Sequence, residues 1–434
     1  MGHKNVKRFF TLFALGITYG FMYVMPYMKS SFYDQMIAAM QVTNEQLGFL
    51  MTAYTIALTI MYIPGGWIAD KIKPKKVLIV CVFAQAGLSF LFVFTYTSYA
   101  MAVAIWVAMA FSGGLAFWPA LLKGIRMQGT DKEQGRLFGI FTGLNNFASL
   151  LLSFIMVGIL AFVGQADPIF GFQGAVASMG GLAIVAGLLL IFLFDDKAVY
   201  NTDEAGKAAA KFDARAFLST FKMPGVWLMS GLVWCYVTMM AVSAYLTPYS
   251  TSVLGLSAVL AASIGALRTY GVGLIGGPLG GFVADKALRS VSKQQILGFV
   301  LCTLAMVFFL FAPSGLSAVI LVFMILFTGA SMFFCKGTAF SVQAELGVPV
   351  HVSATAISIA SLIGYLPDMY VHTMFGNWLD VYGDAGFHYI FMYGIGMTLF
   401  GVTLAAIAYV LSKRVAKKRQ AAEEEGVVSE SLSK

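Results

Sequence analysis

One seven-residue stretch decides the fold because it occurs twice: it reads GGWIADK at residues 65–71 and GGFVADK at residues 280–286. Two shorter pairs repeat in the same order, YVMPY at 23–27 with YLTPY at 245–249 and KG at 123–124 with KG at 336–337. Three ordered matches at a spacing a little above 210 residues indicate an internal duplication. The chain therefore divides into two related halves that run in the same direction.

The composition places both halves in a membrane. Hydrophobic residues make up 59% of the 434 residues and charged residues 11%, whereas a soluble domain carries about 25% charged residues. Apolar runs recur from Phe9 to Leu411, and about 20 apolar residues span a bilayer as a helix. The runs are too long and too uniformly apolar for barrel strands, which alternate over about ten residues. We predict an all-α membrane protein of twelve transmembrane helices in two pseudo-symmetric six-helix bundles.

The apolar runs give the helix positions. The predicted helices lie at approximately 9–33, 45–70, 75–97, 99–126, 136–162, 173–195, 224–252, 257–286, 292–312, 316–345, 352–379 and 386–413. The longest polar stretch separates the sixth helix from the seventh. We therefore expect an N-terminal bundle, a cytoplasmic linker, a C-terminal bundle and a cytoplasmic tail, at 1–195, 196–223, 224–413 and 414–434 respectively.

The basic residues predict the orientation, because Lys and Arg concentrate in cytoplasmic loops. They cluster at both chain ends and in the loops after the second, fourth, sixth and eighth predicted helices. The opposite loops carry acids such as Asp167, Asp380 and Asp384 and almost no Lys or Arg. We expect an integral protein of a bacterial cytoplasmic (inner) membrane, in contact with the lipid bilayer, with both termini cytoplasmic.

Several classes of function do not fit this chain. The net charge of +8 lies in short loops between apolar runs, so it indicates orientation and not a nucleic-acid partner. The four cysteines lie inside apolar runs without CxxC pairing and are interpreted as small hydrophobic residues. No metal-ligand cluster, nucleophile elbow or P-loop pattern is present in the sequence. We therefore predict a membrane protein that is neither an enzyme nor ATP-driven and that uses no metal or other cofactor. We also expect a monomer.

The repeated stretch resembles a family signature. The pattern Gly66-x-x-x-Asp70-Lys71, followed by further lysines, is similar to the loop between helices two and three of the major facilitator superfamily. A shorter copy follows the eighth predicted helix. Small residues let helix ends pack closely, and the aspartates then meet basic residues and helix termini. The resemblance implies a cytoplasmic gate that latches one alternating-access state, formed by Gly66, Asp70, Lys71, Asp285 and Lys286.

The fourth predicted helix narrows the resemblance within the superfamily. The stretch WPALLK at 118–123 is similar to that of the organophosphate antiporters and the organic anion–cation symporters, which carry a basic residue where Lys123 stands. The phosphate antiporters also place an Arg in helix one and another in helix seven. Thr18 and Met240 stand near those positions here, which argues against a phosphate-ester substrate.

Arg268 is the clearest charge at membrane depth. It lies about ten residues, or about 15 Å, into the eighth predicted helix, where a charge costs at least about 2.5–3.5 kcal/mol. Its repeat counterpart is Ala53, so pseudo-symmetry does not require it. A guanidinium binds carboxylates through two parallel hydrogen bonds. Arg268 is therefore either a substrate-anion site or a structural partner of Asp368 or of a backbone carbonyl.

Three further lysines reach into the predicted spans. Lys123 and Lys336 form a symmetric pair on the fourth and tenth predicted helices. Both are substrate-site candidates, although Lys123 lies close enough to its helix end to extend to the membrane surface. Lys29 follows the first YxxPY motif, and Thr251 stands at its repeat position. A role in the cavity or in gating is open for Lys29.

A carboxylate and an imidazole provide a candidate coupling site. Asp368 lies midway along the eleventh predicted helix, and His372 follows one turn later on the same face. An imidazole can bind and release a proton within the physiological range, so the pair is a candidate for proton coupling. The alternative is that Asp368 permanently neutralises Arg268 or Lys336.

Uncharged polar side chains complete the predicted substrate site. Tyr19 and Tyr23 recur at a spacing of four residues, so they share one stripe of the first helix. The remaining candidates are Asn145, Tyr245 and Tyr365. Aromatic faces and amides of this kind bind sugars and acids, although tyrosines near helix ends also form interfacial belts.

These features predict a secondary active transporter. The excess of cations over acids in the spans favours a small hydrophilic monoanion, such as a sugar acid or carboxylate, moved by alternating access with proton or ion coupling. A neutral sugar or nucleoside porter is the alternative. Multidrug efflux is less favoured because the fifth helix reads GIFTGLNN at 139–146, without the drug-antiporter signature. A non-transport membrane receptor is also less favoured.

Overall fold

A computed structural model describes residues 3–114, 117–129, 133–194, 219–312, 316–349 and 352–424. In this part of the chain, every element is helical and the helices group into twelve spans in chain order. Spans 1–6 are His3–Val24 with Lys29–Met40, Asn44–Lys71, Pro74–Thr95, Tyr99–Gly114 with Phe117–Arg126, Gln134–Phe162, and Pro168–Leu193. Spans 7–12 are Pro224–Ala244 with Leu246–Ser252, Ala258–Ala287, Val291–Leu310, Ala318–Lys336 with Val342–Glu345, Ser353–Tyr382, and Gly386–Glu424.

The lengths and hydropathies of these spans suit a bilayer. Nine helical stretches in the described residues are long and apolar enough to cross a membrane, and the ninth, Thr355–Lys418, runs through most of span 11 and most of span 12. Span 1 adds a tenth when its two bent halves are counted together. Span 2 is 28 residues long and also has the length to cross. The all-α, multi-span fold class expected from the sequence is confirmed.

Several spans are broken where the sequence predicts one continuous helix. The prediction of a single helix at 9–33 is wrong, because span 1 bends by 41° between Val24 and Lys29 and continues to Met40. Pro26 lies in the break, and a proline removes a helical hydrogen bond and clashes with the preceding turn. In spans 7 and 11, Pro248 and Pro367 likewise follow directly after a break.

Span 8 contains two π-helical turns, at Leu267–Gly271 and Val283–Ala287. The first contains Arg268, and the second contains Asp285 and Lys286. Single π turns inside α-helices are frequent at functional sites. The two charged features that the sequence singles out in this span therefore both coincide with its helical irregularities.

By internal contacts, the chain forms two compact units. Unit 1 comprises Met1–Lys211, Ala244–Leu274 and Asp368–Phe387. It thus contains spans 1–6 together with the second half of span 7, the first half of span 8 and the second part of span 11. Unit 2 comprises the remaining residues from Phe212 onward. The division into six-helix bundles at 1–195 and 224–413 stays a prediction from the repeat, and most of the expected linker lies outside the described residues.

Glycines allow close helix packing inside unit 1. A Cβ on Gly16 would lie 2.6 Å from the Leu144 Cβ, and one on Gly20 would lie 2.6 Å from the Ala148 Cβ. Spans 1 and 5 are therefore in near-backbone contact. Tyr19 lies between these two glycines in the sequence, and its ring packs against Phe141 of span 5 at 5.5 Å, centroid to centroid.

Unit 2 has a continuous apolar core. Spans 7, 9, 10, 11 and 12 contribute buried side chains to it, among them Met229, Phe299, Cys335 and Ala405. Spans 8 and 10 approach closely at Gly277 and Gly337, where a Cβ on Gly337 would lie 2.7 Å from the Gly277 Cα. The glycine of the second KG dipeptide therefore serves packing.

Candidate functional site

A buried polar group in unit 1 surrounds Lys29, which is 2% exposed. Its ammonium nitrogen lies 3.1 Å from Nδ1 of His372 and donates to the hydroxyl of Tyr245 at 3.2 Å. That hydroxyl donates to the backbone carbonyl of His372 at 2.7 Å. Nε2 of His372 lies 3.5 Å from Oδ1 of Asp368. We refer to Lys29, Tyr245, Asp368 and His372 as the Lys29 cluster.

The helix breaks place the members of this cluster. Lys29 begins the second half of span 1, and Tyr245 precedes the second half of span 7. Asp368 lies in the 3-10 turn Leu366–Met369, and His372 lies at the start of the following helix. The structure thus brings the two predicted coupling residues together. It also adds Lys29, which sequence reasoning considered for gating but did not place with them.

Arg268 lies elsewhere in unit 1 and does not pair with Asp368. It is 1% exposed, and its Nη2 donates to the backbone carbonyl of Ser30 at 2.8 Å. The hydroxyl of Thr247 donates to the same carbonyl at 2.7 Å. The other terminal nitrogen, Nη1, is buried without a hydrogen-bond partner among the described residues. No carboxylate of the described residues lies within ion-pair distance of Arg268.

A second group of candidates lines a partly exposed aromatic wall in unit 1. The ring of Tyr19 lies 4.7 Å from that of Tyr23, 5.5 Å from Trp118 and 5.5 Å from Phe141, centroid to centroid. The hydroxyl of Tyr23 donates to the carbonyl of Gly113 at 3.1 Å. We refer to Tyr19, Tyr23, Trp118 and Phe141 as the aromatic wall, and each ring apart from the buried Phe141 is partly exposed.

The other predicted residues of unit 1 lie on the same spans as the wall. Lys123 is partly exposed and lies in Phe117–Arg126, which also carries Trp118. Asn145 is 9% exposed and belongs to span 5, as does Phe141. A Cβ on Gly20 would lie 2.7 Å from the Asn145 backbone carbonyl oxygen, so Asn145 is fixed by the packing of spans 1 and 5.

The predicted residues of unit 2 are more dispersed. The hydroxyls of Tyr365 and Tyr236 lie 3.1 Å apart, and the Lys336 ammonium lies 5.3 Å from the centroid of the Phe333 ring. Asp285 and Lys286 are exposed at the end of span 8. For the other half of the predicted gate, the side chains of Gly66, Asp70 and Lys71 lie outside the described residues.

A hydrogen-bond network that sequence reasoning missed joins spans 2 and 11 within unit 1. The carboxylate of Asp380 accepts hydrogen bonds from the Asn44 backbone and side-chain amides at 3.0 and 2.8 Å and from the Glu45 backbone amide at 2.8 Å. The side-chain amide of Asn377 donates to the Glu45 carboxylate at 2.9 Å. Asp380 therefore caps span 2 from a distant part of the chain. Its only signal in the sequence was an acid in a loop that has no Lys or Arg.

Unit 2 contains a comparable cap. The Glu345 carboxylate accepts hydrogen bonds from the backbone amides of Val291 and Ser292 and from the hydroxyls of Ser290 and Ser292. These amides belong to the start of span 9. Glu345 thereby joins the end of span 10 to the start of span 9.

The fold and this arrangement can be set beside known proteins. The family model described as "Major Facilitator Superfamily" matches residues 9–371. The chain belongs to the major facilitator superfamily. It is accordingly an integral membrane transporter of small solutes and not an enzyme, and the resemblance expected from GGWIADK is confirmed.

Relatives and a solved structure agree with the family assignment. The Escherichia coli (strain K12) inner membrane protein YihN is 25% identical over 417 residues, covering 95% of this chain and 98% of YihN. The protein named "probable galactarate/D-glucarate transporter GudP", also from E. coli K12, is 25% identical over 370 residues, covering 76% and 75%. A bacterial homologue of the human lysosomal transporter Spinster, solved in an inward-facing unoccupied conformation, has the same fold with a TM-score of 0.72, 17% identity and 95% and 98% coverage. The predicted likeness to organic-anion transporters is therefore confirmed.

Proposed function

We propose that this superfamily member is a secondary active transporter of a small organic monoanion, such as a sugar acid or carboxylate, driven by proton coupling and alternating access. The observation that carries the proposal is Arg268, a fully buried guanidinium with an unpartnered nitrogen and without a carboxylate partner in the described residues. Removing such a charge from water costs several kcal/mol unless it is paired. Because no carboxylate of the described residues offsets the desolvation cost of Arg268, we infer that an anionic substrate pairs with it transiently.

The hydrogen bonds of Arg268 suggest how that partner would bind. A guanidinium has five N–H donors in a planar fork, and Nη2 donates to the Ser30 carbonyl. A carboxylate of the substrate would accept from the unused Nη1 and replace or share the Ser30 contact. Because Ser30 lies on span 1 and Arg268 on span 8, exposing Arg268 requires the first half of span 8 to move relative to span 1, which is the kind of motion that alternating access provides.

The aromatic wall supports a substrate with a carbohydrate-like body. Tyr19, Tyr23 and Trp118 are partly exposed aromatic residues, and the C–H faces of a sugar pack on rings of this kind. Lys123, on the same half-helix as Trp118, and Asn145 would add a charge and an amide. The E. coli relative GudP is named for transport of galactarate and D-glucarate, which are sugar acids.

Proton coupling would use Asp368 and His372. The two groups lie 3.5 Å apart in unit 1, and an imidazole can both bind and release a proton. The remaining predictions complete the proposal: a monomer in a bacterial inner membrane, both termini in the cytoplasm, Lys336 and Tyr365 as further substrate contacts, and a gate at the two GGxxADK motifs.

Binding measurements with variants of Arg268 test the anion proposal. Purified protein is screened by thermal shift against sugar acids, carboxylates, neutral sugars and nucleosides, because a ligand at 100 times its Kd stabilises a protein by about 2.7 kcal/mol. With the best anion, Arg268→Ala should weaken binding about 10- to 150-fold, the equivalent of a charged hydrogen bond worth about 1.5–3 kcal/mol. Arg268→Lys should recover part of the loss.

Arg126→Gln is the matched control, because Arg126 is exposed on span 4, and its affinity should equal that of the parent. An Arg268→Ala variant that folds and binds the anion as tightly as the parent would refute the anion site.

A neutral sugar or nucleoside porter is the second candidate. The observation in its favour is the aromatic wall, since stacked rings with a neighbouring amide also recognise uncharged sugars. The same thermal-shift panel separates the two. Stabilisation by a neutral sugar or nucleoside that persists in Arg268→Ala would favour this alternative.

A further inference from the structure

We propose that Lys29 is the residue that couples protonation of His372 to the separation of span 1 from span 11. The proposal rests on the proton-coupled function proposed above and deepens it. The single hydrogen bond between the Lys29 ammonium and Nδ1 of His372, 3.1 Å long, carries the proposal. Neither the repeat nor the family signature includes Lys29.

The contacts define where the protons lie. A lysine ammonium has three donors and no acceptor, whereas a neutral imidazole has one donor and one acceptor. In the state in which Lys29 is an ammonium, Nδ1 of His372 accepts from it, and Nε2 carries the proton that faces Asp368. The hydroxyl of Tyr245 accepts from Lys29 and donates its one proton to the His372 carbonyl, so it has no proton left to donate to the imidazole. The bridge between Lys29 and His372 contains one proton, and His372 is neutral while it is formed.

A second proton cannot enter this bridge without breaking it. An imidazolium is a donor at both nitrogens, so protonated His372 would direct an N–H, and a positive charge, at the Lys29 ammonium. The protonated ring keeps its contact with Asp368, because that contact runs through Nε2. Protonation therefore exchanges a bond between spans 1 and 11 for a stronger ion pair inside span 11.

Among the described residues, Asp368 and Lys29 are the charged groups recorded in contact with the His372 ring. Asp368 faces the ring from span 11, Lys29 from span 1 and Tyr245 from span 7. Span 2 approaches with Gly48, which lies against the His372 backbone, and with the uncharged Thr52, whose hydroxyl is 2.8 Å from that of Thr373. Proton uptake thus changes the cluster from neutral, with one ammonium and one carboxylate, to a net charge of plus one. A monoanionic substrate offsets this charge, which links proton entry to anion entry.

Hydrogen–deuterium exchange of the purified, substrate-free protein tests the bridge. Exchange is followed in peptides covering Lys29–Met40 and Val371–Tyr382 at about pH 8 and pH 5, and each rate is divided by the rate of the same peptide in denatured protein at the same pH. An equilibrium that takes up one proton changes at most about tenfold per pH unit. We expect both peptides of the parent to exchange about tenfold faster, or more, at the lower pH.

Two variants isolate the cause. In Lys29→Met the hydrogen bond to His372 is absent, so for each peptide the ratio of the corrected exchange rate at pH 5 to that at pH 8 should fall to within about twofold of unity. His372→Gln should give the same result, because a glutamine side chain cannot become a cation. Lys7→Met is the control, since Lys7 is exposed on span 1, and it should keep the ratio of the parent.

Two results would overturn the proposal: a parent whose corrected exchange does not change with pH, or a Lys29→Met variant that keeps the full pH response. Because the measurement needs no substrate, its failure is distinguishable from failure of the anion-transport proposal. A positive exchange result with no anion binding would retain the bridge and reject the substrate.

Discussion

The close approach of spans 2 and 11 in unit 1 predicts a large effect of one added methyl group. A Cβ on Gly48 would lie 2.6 Å from the carbonyl carbon of His372 and 3.0 Å from the amide nitrogen of Thr373. The contact is reciprocal, because a Cβ on Gly376 would lie 2.7 Å from the Cα of Glu45. All these neighbours are backbone atoms, so no side chain can rotate away to make room. In Gly48→Ala the two spans must therefore separate.

The geometry gives the size of the effect. Carbon atoms in contact are normally about 3.5–4.0 Å apart, so the spans must move apart by about 1 Å. Overpacking of this kind costs about 1–3 kcal/mol. At about 1.4 kcal/mol per factor of ten, the packed arrangement of spans 2 and 11 should become about 5- to 150-fold less populated. The unfolding temperature shows only part of this loss, because Ala stabilises a helix by about 1 kcal/mol relative to Gly and so offsets part of the overpacking cost.

Exchange of the Val371–Tyr382 peptide measures the packing directly, and thermal unfolding in detergent measures the net stability. Gly48→Ala should accelerate exchange of that peptide at least about fivefold. Gly87→Ala is the matched control, because the position is on span 3 and open space surrounds its added Cβ. The control should leave the exchange unchanged and raise the unfolding temperature slightly. Equal exchange rates in Gly48→Ala and Gly87→Ala would refute the argument from backbone contact.

Two further predictions concern the carboxylates that cap helices. Asp380→Ala should lower the stability of the first turn of span 2 by about 1 kcal/mol, the usual value of a lost cap, and accelerate hydrogen–deuterium exchange there about fivefold. Asp384→Ala is the control, because Asp384 is a neighbouring exposed acid, and it should leave this exchange unchanged. Unchanged exchange in Asp380→Ala would contradict the cap. Glu345→Ala should accelerate exchange at the start of span 9 by a similar factor, with Glu345→Gln intermediate because it keeps one acceptor oxygen. Equal exchange in both Glu345 variants and the parent would show that its hydrogen bonds do not stabilise span 9.

Much of the fold could be predicted because bilayer insertion imposes strong local rules. A spanning helix needs a long apolar run, which hydropathy detects directly. The second predicted helix, 45–70, accordingly differs by one residue at each end from Asn44–Lys71. The breaks were missed at Pro26 and Pro367, because prolines are tolerated in membrane helices and do not by themselves reveal whether a helix bends, tightens or ends.

The candidate site was only partly predictable for a different reason. Asp368 and His372 are one helical turn apart, so sequence spacing alone pairs them. Lys29 is 343 residues from His372, and the hydrogen bond between them depends on how spans 1 and 11 pack. Arg268 was singled out by its depth, but its actual partner, the carbonyl of Ser30, carries no signal in the side-chain sequence.

The sequence by itself determined that this chain is a duplicated, helical membrane transporter, because apolar length and a repeated motif are properties of the chain order alone. The two copies of GGxxADK resemble the signature of the major facilitator superfamily, and the match of the family model confirms that resemblance. Only the tertiary structure decided which charges meet. Contacts such as those of Lys29 with His372 and of Asp380 with Asn44 are made between distant segments, and no local propensity encodes them.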